Sequence, residues 1–270
     1  MNVRKKQKKR ALFILEIALA ASFVVLLIWS IASIAAQRRI RAEERQAAAR
    51  FAPQAVATAQ PEIHETKPQN QNSAIQPEIA ELMQENPDAV GLLHFEGDRT
   101  LYVCQTTDNY YYMNHRFDRS EDPAGMIYMD HRNSLWPRSD NLILYGHNMR
   151  DGSRFGTLRR FEKWDYLKKY PIFQLVDRHT TLNYVPFAIF HTTVLQDDPA
   201  YYPFDRTNFV DQADFEQYVE DVRSRSVLDL PVEVSYGDRL LTLATCHSSL
   251  ERGRLVIVCR EVKPGEYDGA

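Results

Sequence analysis

Residues Leu240 to Ser249 read LLTLATCHSS. Apolar and β-branched residues run without a break to a cysteine, so the stretch predicts a buried strand that delivers a thiol to its tip, with small hydroxyl residues on either side. A strand end opening into a loop is where folds build sites, because the scaffold fixes the residue while the loop leaves it accessible. Cys246 is therefore the candidate nucleophile. Of the other two cysteines, Cys104 in TLYVCQ and Cys259 in RLVIVCREV lie inside apolar strands and read as small core residues. Three thiols cannot all pair, and none belongs to a cluster with metal-ligand spacing.

A nucleophilic thiol needs a base, and histidine is the usual partner because its proton affinity lies near neutral pH. Among eight histidines, His147 ends NLILYGHNM as Cys246 ends its own strand, at an apolar strand terminus followed by polar residues. His247 is adjacent to Cys246 in sequence, but neighbouring side chains on an extended chain point to opposite faces. Acyl transfer also needs a donor for the oxyanion of the tetrahedral intermediate. Arg254 opens the strand RLVIV just past the loop that follows Cys246. If the two strands are neighbours, guanidinium and thiol face one pocket; Arg252, on the loop, is the competing arginine.

The rest of the chain frames this site. Its 270 residues are 44% hydrophobic and 11% aromatic, enough for one core with length to spare, and the formal net charge is -3. With no global basic excess, zinc spacing, Gly-rich phosphate loop or aromatic-basic stripe, nucleic acid is not an expected partner. Charge is concentrated instead at the start. MNVRKKQKKR precedes Ala11 to Ala36, an apolar run of about 26 residues, long enough to cross a bilayer as a helix. The basic tail predicts a cytoplasmic N-terminus and an extracellular domain. Residues 37–73, rich in Ala, Gln, Glu, Arg and Pro, read as an extracytoplasmic linker. The expected layout is a basic tail at 1–10, a transmembrane anchor at 11–36, this linker, and one folded domain at 74–270.

Within that domain Ile79, Leu82 and Met83 share one face of a short helix that stops at NPD. Nine segments then have strand character: GLLHFEG, TLYVCQ, GMIYMD, NLILYGH, FQLVD, TLNYVPFAIFHTTVL, PVEVSYG, RLLTLATC and RLVIVCREV. Many short strands and few helices predict a mainly β barrel or sandwich. The exception is NFVDQADFEQYVEDVRSR, Asn208 to Arg225, whose Phe209, Phe215, Tyr218 and Val222 recur near helical spacing before the cysteine strand.

TLATC followed by GRLVIV resembles the cysteine strand and downstream arginine of sortases, the membrane-anchored cysteine transpeptidases of Gram-positive bacteria, and ILYGHNM resembles their histidine segment. NPDAVGLLHFEG, TTDNYYYMNHRF, GMIYMDHRN and FGTLRRF are similar to class B members, as is the helix ahead of the cysteine strand. The resemblance implies a closed β-barrel of about eight strands with added helices. It makes Cys246 the nucleophile, His147 the acid/base and Arg254 the oxyanion partner, with Asn109 and Thr245 contacting substrate. Ala244 brings no hydroxyl to the variable motif position. The implied reaction cleaves a sorting motif near the C-terminus of a surface protein through a thioacyl enzyme and passes the acyl group to an amine of cell-wall precursor or pilin. No metal or other cofactor is expected. Two alternatives stay open: another exported cysteine acyl-transferase or peptidase, and a tethered β-barrel binding module in which Cys246 is inert. An L,D-transpeptidase is expected to carry an HGC-type motif, absent here, and a papain-like peptidase places its cysteine before its histidine.

Overall fold

The computed structural model describes residues 22–28, 75–97, 99–247 and 253–266, with the backbone alone for 246 and 247. Residues 22–28 are helical and lie within the apolar N-terminal run; the rest of that run, the basic tail and residues 37–73 fall outside the described residues. Among those described, no helix is long and apolar enough to cross a membrane.

The folded domain is a closed barrel of eight strands: β1 (Ala89–Glu96), β2 (Arg99–Cys104), β3 (Ile127–Met129), β4 (Asn141–Gly146), β5 (Phe173–Asp177), β6 (Thr181–Thr193), β7 (Leu240–His247) and β8 (Gly253–Glu261). Around the barrel they run β1-β2-β3-β4-β7-β8-β6-β5, and β5 pairs with β1 to close the circle. Closure removes the exposed edges that open sheets must protect. Pairing is antiparallel except for β2 with β3 and β4 with β7.

Strand alternation sorts β7 and β8 into two faces. Leu241, Leu243, Leu255, Ile257 and Cys259 fill the barrel interior. Leu240, Ala244, Val256 and Val258 face outward, where α3 (Gln212–Arg225) covers them with Phe215, Tyr218, Val219 and Val222. These four recur at i, i+3, i+4 and i+7, one helical stripe. The helix starts four residues later than its sequence pattern suggests, because the Asp211 carboxylate accepts from Asp214 N–H at 2.9 Å and caps it there. Phe209 lies ahead of the helix and folds back onto Phe215 and Tyr218.

PVEVSYG is not a strand. Val232 and Val234 satisfy their alternation by packing on the α3 cluster, and Val232 N–H turns back to the Leu230 carbonyl instead of a neighbouring strand. At the other end of the chain, α1 (Pro77–Glu85) buries Ile79 and Leu82 completely against Ala89 and Leu92. Each such side chain contributes about 1.5–3 kcal/mol of burial. A further short helix, α2 (Trp164–Lys169), lies between β4 and β5.

Candidate active site

Register brings the three candidates to one rim of the barrel. On parallel β4 and β7, Gly146 pairs with Thr245, so His147 and Cys246 are the next residues along adjacent strands. Antiparallel pairing of β7 and β8 sets Cys246 directly opposite Arg254. The neighbouring strands anticipated from the sequence are present. Arg252 lies outside the described residues.

This rim opens on a cavity of about 400 Å³ that reaches His147, Ala244, Thr245 and Arg254. Aromatic rings form much of its wall, from Tyr110, Tyr128, Tyr145, Tyr201, Tyr202 and Phe204, with Asn109 and Asp205 among the polar groups. Largely apolar in its lining, with a few polar groups, it has the make-up of a ligand-binding cleft. No α3 residue lines it, but the buried Tyr218 hydroxyl donates to the Phe204 carbonyl at 3.1 Å and so holds one wall.

His147 is partly buried, and its Nε2 donates to the Met113 carbonyl at 2.7 Å. A carbonyl only accepts, so Nε2 carries a hydrogen, and in the neutral ring Nδ1 is the basic nitrogen. Met113 ends a 3-10 turn, Tyr111–Met113. Buried Tyr112 anchors that turn: its phenol accepts from Asn86 Nδ2 at 2.7 Å and donates to Asp88 Oδ2 at 2.9 Å. Sequence reasoning missed Met113, because a backbone carbonyl leaves no mark on residue type.

Arg254 lines the cavity, and its Nη1 donates to the Gly253 carbonyl at 3.1 Å. Thr245 has the parity of Leu241 and Leu243, and its buried hydroxyl has no hydrogen-bond partner among the described residues. Asn109 also lines the cavity, held by the carboxylate of buried Asp130, which no sequence signal had singled out. Burial pushes that carboxyl up, but hydrogen bonds and charge from Arg132 outweigh it and leave it below the ordinary aspartate value.

Cys104 and Cys259 are buried free thiols, as core readings of both require. Burial pushes Cys104 up to about 12 and holds Cys259 well above the ordinary thiol value, so neither supplies thiolate near neutral pH. Among the described residues no group of three or more His, Cys, Asp or Glu is disposed to hold a metal ion.

No family model matches the chain. Sortase B of Listeria monocytogenes is 36% identical over 191 residues, spanning 70% of this chain and 75% of that protein. The chain belongs to the sortase B family. Solved sortase B structures share its barrel. The substrate complex of Staphylococcus aureus sortase B superposes with a TM-score of 0.63 at 28% identity, over 71% of this chain and 87% of that one. A Bacillus anthracis protein similar to sortase B superposes at 0.67 with 25% identity, over 84% of this chain and 96% of that one. As a sortase B the chain is a cysteine transpeptidase, and the binding-module alternative is set aside.

Proposed function

We propose that this sortase B is tethered to the membrane by residues 11–36, displays its barrel outside the cell, and joins surface proteins to an amine through Cys246, His147 and Arg254. The observation that carries the site is the register of β7, which sets Cys246 opposite Arg254 and one step beyond the Gly146–Thr245 pair leading to His147. The thiolate of Cys246 adds to the threonine carbonyl of a C-terminal sorting motif bound in the aromatic cavity, with Asn109 and Thr245 beside it. Arg254 donates to the oxyanion, which holds more negative charge than the ground-state carbonyl, so its contribution grows in the transition state. As the C–N bond breaks, imidazolium of His147 gives its proton to the leaving amine, and a thioester remains. An amine of cell-wall precursor or a pilin lysine then loses its proton to His147 and displaces the sulfur, restoring the thiolate. Water in place of the amine gives only hydrolysis.

Incubating the full chain in detergent with a library of peptides, followed by mass spectrometry, tests this reading. The expected result is a thioacyl adduct on Cys246 whose mass names the motif. An adduct on another cysteine, or none with any peptide, rejects it. Tethering is tested separately on intact protoplasts: added protease should remove the barrel and spare the basic tail.

A further inference from the structure

Beneath the cavity wall, Asp130 follows β3 and is fully buried. Its two oxygens take five donors: Arg132 N–H and Nε at 2.9 Å each, Arg132 Nη2 at 2.8 Å, Tyr145 hydroxyl at 3.0 Å and Asn109 Nδ2 at 3.2 Å. An ionised carboxylate accepts only, at about four lone-pair positions, so Asp130 is saturated and turns no acceptor toward the cavity. Two of those donors, Asn109 and Tyr145, themselves line the cavity.

The consequence falls on Asn109. Its Oδ1 accepts from the His131 backbone N–H at 2.9 Å while its Nδ2 faces the carboxylate. A reversed amide would set oxygen against the carboxylate and NH2 against an N–H, two repulsive contacts, so the network permits one orientation. One hydrogen of Nδ2 is committed to Asp130, and the second remains to serve a ligand. The Tyr145 proton is likewise committed to Asp130. Arg132 extends the same network to Asp205, another cavity-lining residue, donating through Nη2 to its carboxylate at 2.8 Å and to its carbonyl at 3.0 Å.

We infer that Asp130 is a specificity-determining positioning residue: it orients the Asn109 amide so that the cavity offers an N–H donor at that point and selects peptides that bring a carbonyl oxygen there, from backbone or side-chain amide. The inference rests on the sorting-peptide reading above and adds to it the chemical polarity that the site demands.

The test uses the full chain and a quenched fluorescent peptide built on the motif recovered from the library, with iodoacetamide alkylation of Cys246 as a readout independent of peptide. Asp130→Asn can no longer enforce the amide orientation. Its KM should rise about 10- to 100-fold, the loss expected for a hydrogen bond tied to a charged group, while kcat falls less than about threefold and alkylation proceeds within about twofold of wild type. Asn109→Ala, at a partly exposed position, removes the donor without adding a charge beside Asp130, and should raise KM to a similar extent. In wild type, replacing one peptide carbonyl by methylene should reproduce that loss, and in Asn109→Ala the same replacement should cost little more, since the pair is already broken. A KM for Asp130→Asn within twofold of wild type overturns the inference, as does a parallel fall of kcat, alkylation rate and melting temperature, which marks a purely structural residue. If wild type itself never acylates, the sorting-peptide reading fails and takes the inference with it.

Discussion

Strand β8 carries an arginine near each end, both on its outward face. Arg260, opposite Leu240, is 2% exposed and grips both carboxylate oxygens of Glu266, at 2.6 and 2.7 Å. Arg254, opposite Cys246, is only partly buried, borders the cavity and donates to the carbonyl of its neighbour Gly253. A buried guanidinium must be matched by a carboxylate to offset its desolvation. One that serves a developing oxyanion must instead border the cavity, and the Gly253 carbonyl helps to orient it there. One strand thus holds a structural and a proposed catalytic arginine, separated by their surroundings and not by residue type.

The largest expected effect lies with the thiol opposite Arg254. Cys246→Ala should lower thioacyl formation and transfer by about 10⁴-fold or more, as loss of a catalytic nucleophile does elsewhere, and leave the circular dichroism spectrum unchanged. The two thiols remaining in that variant should resist alkylation even at pH 9. Burial disfavours their thiolates and places Cys104 near 12, so the thiolate fraction stays small until the pH approaches that value. In guanidinium both should react at once. An acyl adduct on Cys104 or Cys259 in the folded variant would erase the distinction between the site end of the barrel and its core.

Next come the arginines themselves, and the comparison requires a crossover. Arg254→Ala should cut kcat by about 10²–10³-fold with little change in melting temperature. Arg254→Lys should recover only part of the loss, because lysine keeps the charge without the planar fork. Arg252→Ala should stay within about twofold of wild type. For Arg260→Ala the effects reverse. Glu266 loses its partner and a buried cavity opens, which should cost about 2 kcal/mol of stability, below the range for fully buried pairs because Glu266 is partly solvated, with kcat nearly unchanged. Steady-state kinetics beside thermal unfolding separates the two. Lost turnover in Arg260→Ala with normal turnover in Arg254→Ala would invert the assignment.

Particular residues show why some of this was legible in the sequence. The strand LLTLAT was readable because both of its faces bury apolar groups, and Cys246, His147 and Arg254 stood out because each marks a strand end. That β4 lies parallel to β7 was not legible, since nothing local couples segments nearly a hundred residues apart; yet this pairing brings His147 beside Cys246. PVEVSYG misled because packing on a helix and pairing in a sheet ask for the same alternation. GMIYMDHRN displayed Asp130 in plain view, but its role depends on Asn109, Tyr145 and Asp205 arriving from other segments. Met113 could not be found at all, because every residue has a carbonyl.

The smallest expected effect concerns that carbonyl. Gly125 has φ +52°, and a Cβ built there would stand 2.5 Å from both the Tyr112 and the Met113 carbonyl oxygens. The Met126 N–H meanwhile donates to Tyr112 O at 2.8 Å, drawing the two segments together. Gly125→Ala must therefore push on the turn, and the turn cannot retreat as a body, because the Tyr112 phenol is fixed between Asn86 and Asp88. The displacement should pass to the Met113 carbonyl and lengthen its 2.7 Å bond from His147 Nε2. Alanine at positive φ also costs about 1–2 kcal/mol of folding stability, which protein working well below its melting temperature tolerates. A misaligned acid/base should lower kcat about tenfold, a fraction of the 10²–10⁴ that general acid-base catalysis supplies. Peptide KM should hold within about twofold, and iodoacetamide should react more slowly with Cys246 near neutral pH, because a displaced His147 stabilises the thiolate less. An unchanged kcat would free His147 from any dependence on the Met113 carbonyl, and a raised KM with normal kcat would assign the turn, whose Met113 lines the cavity beside Asn109, to peptide binding instead.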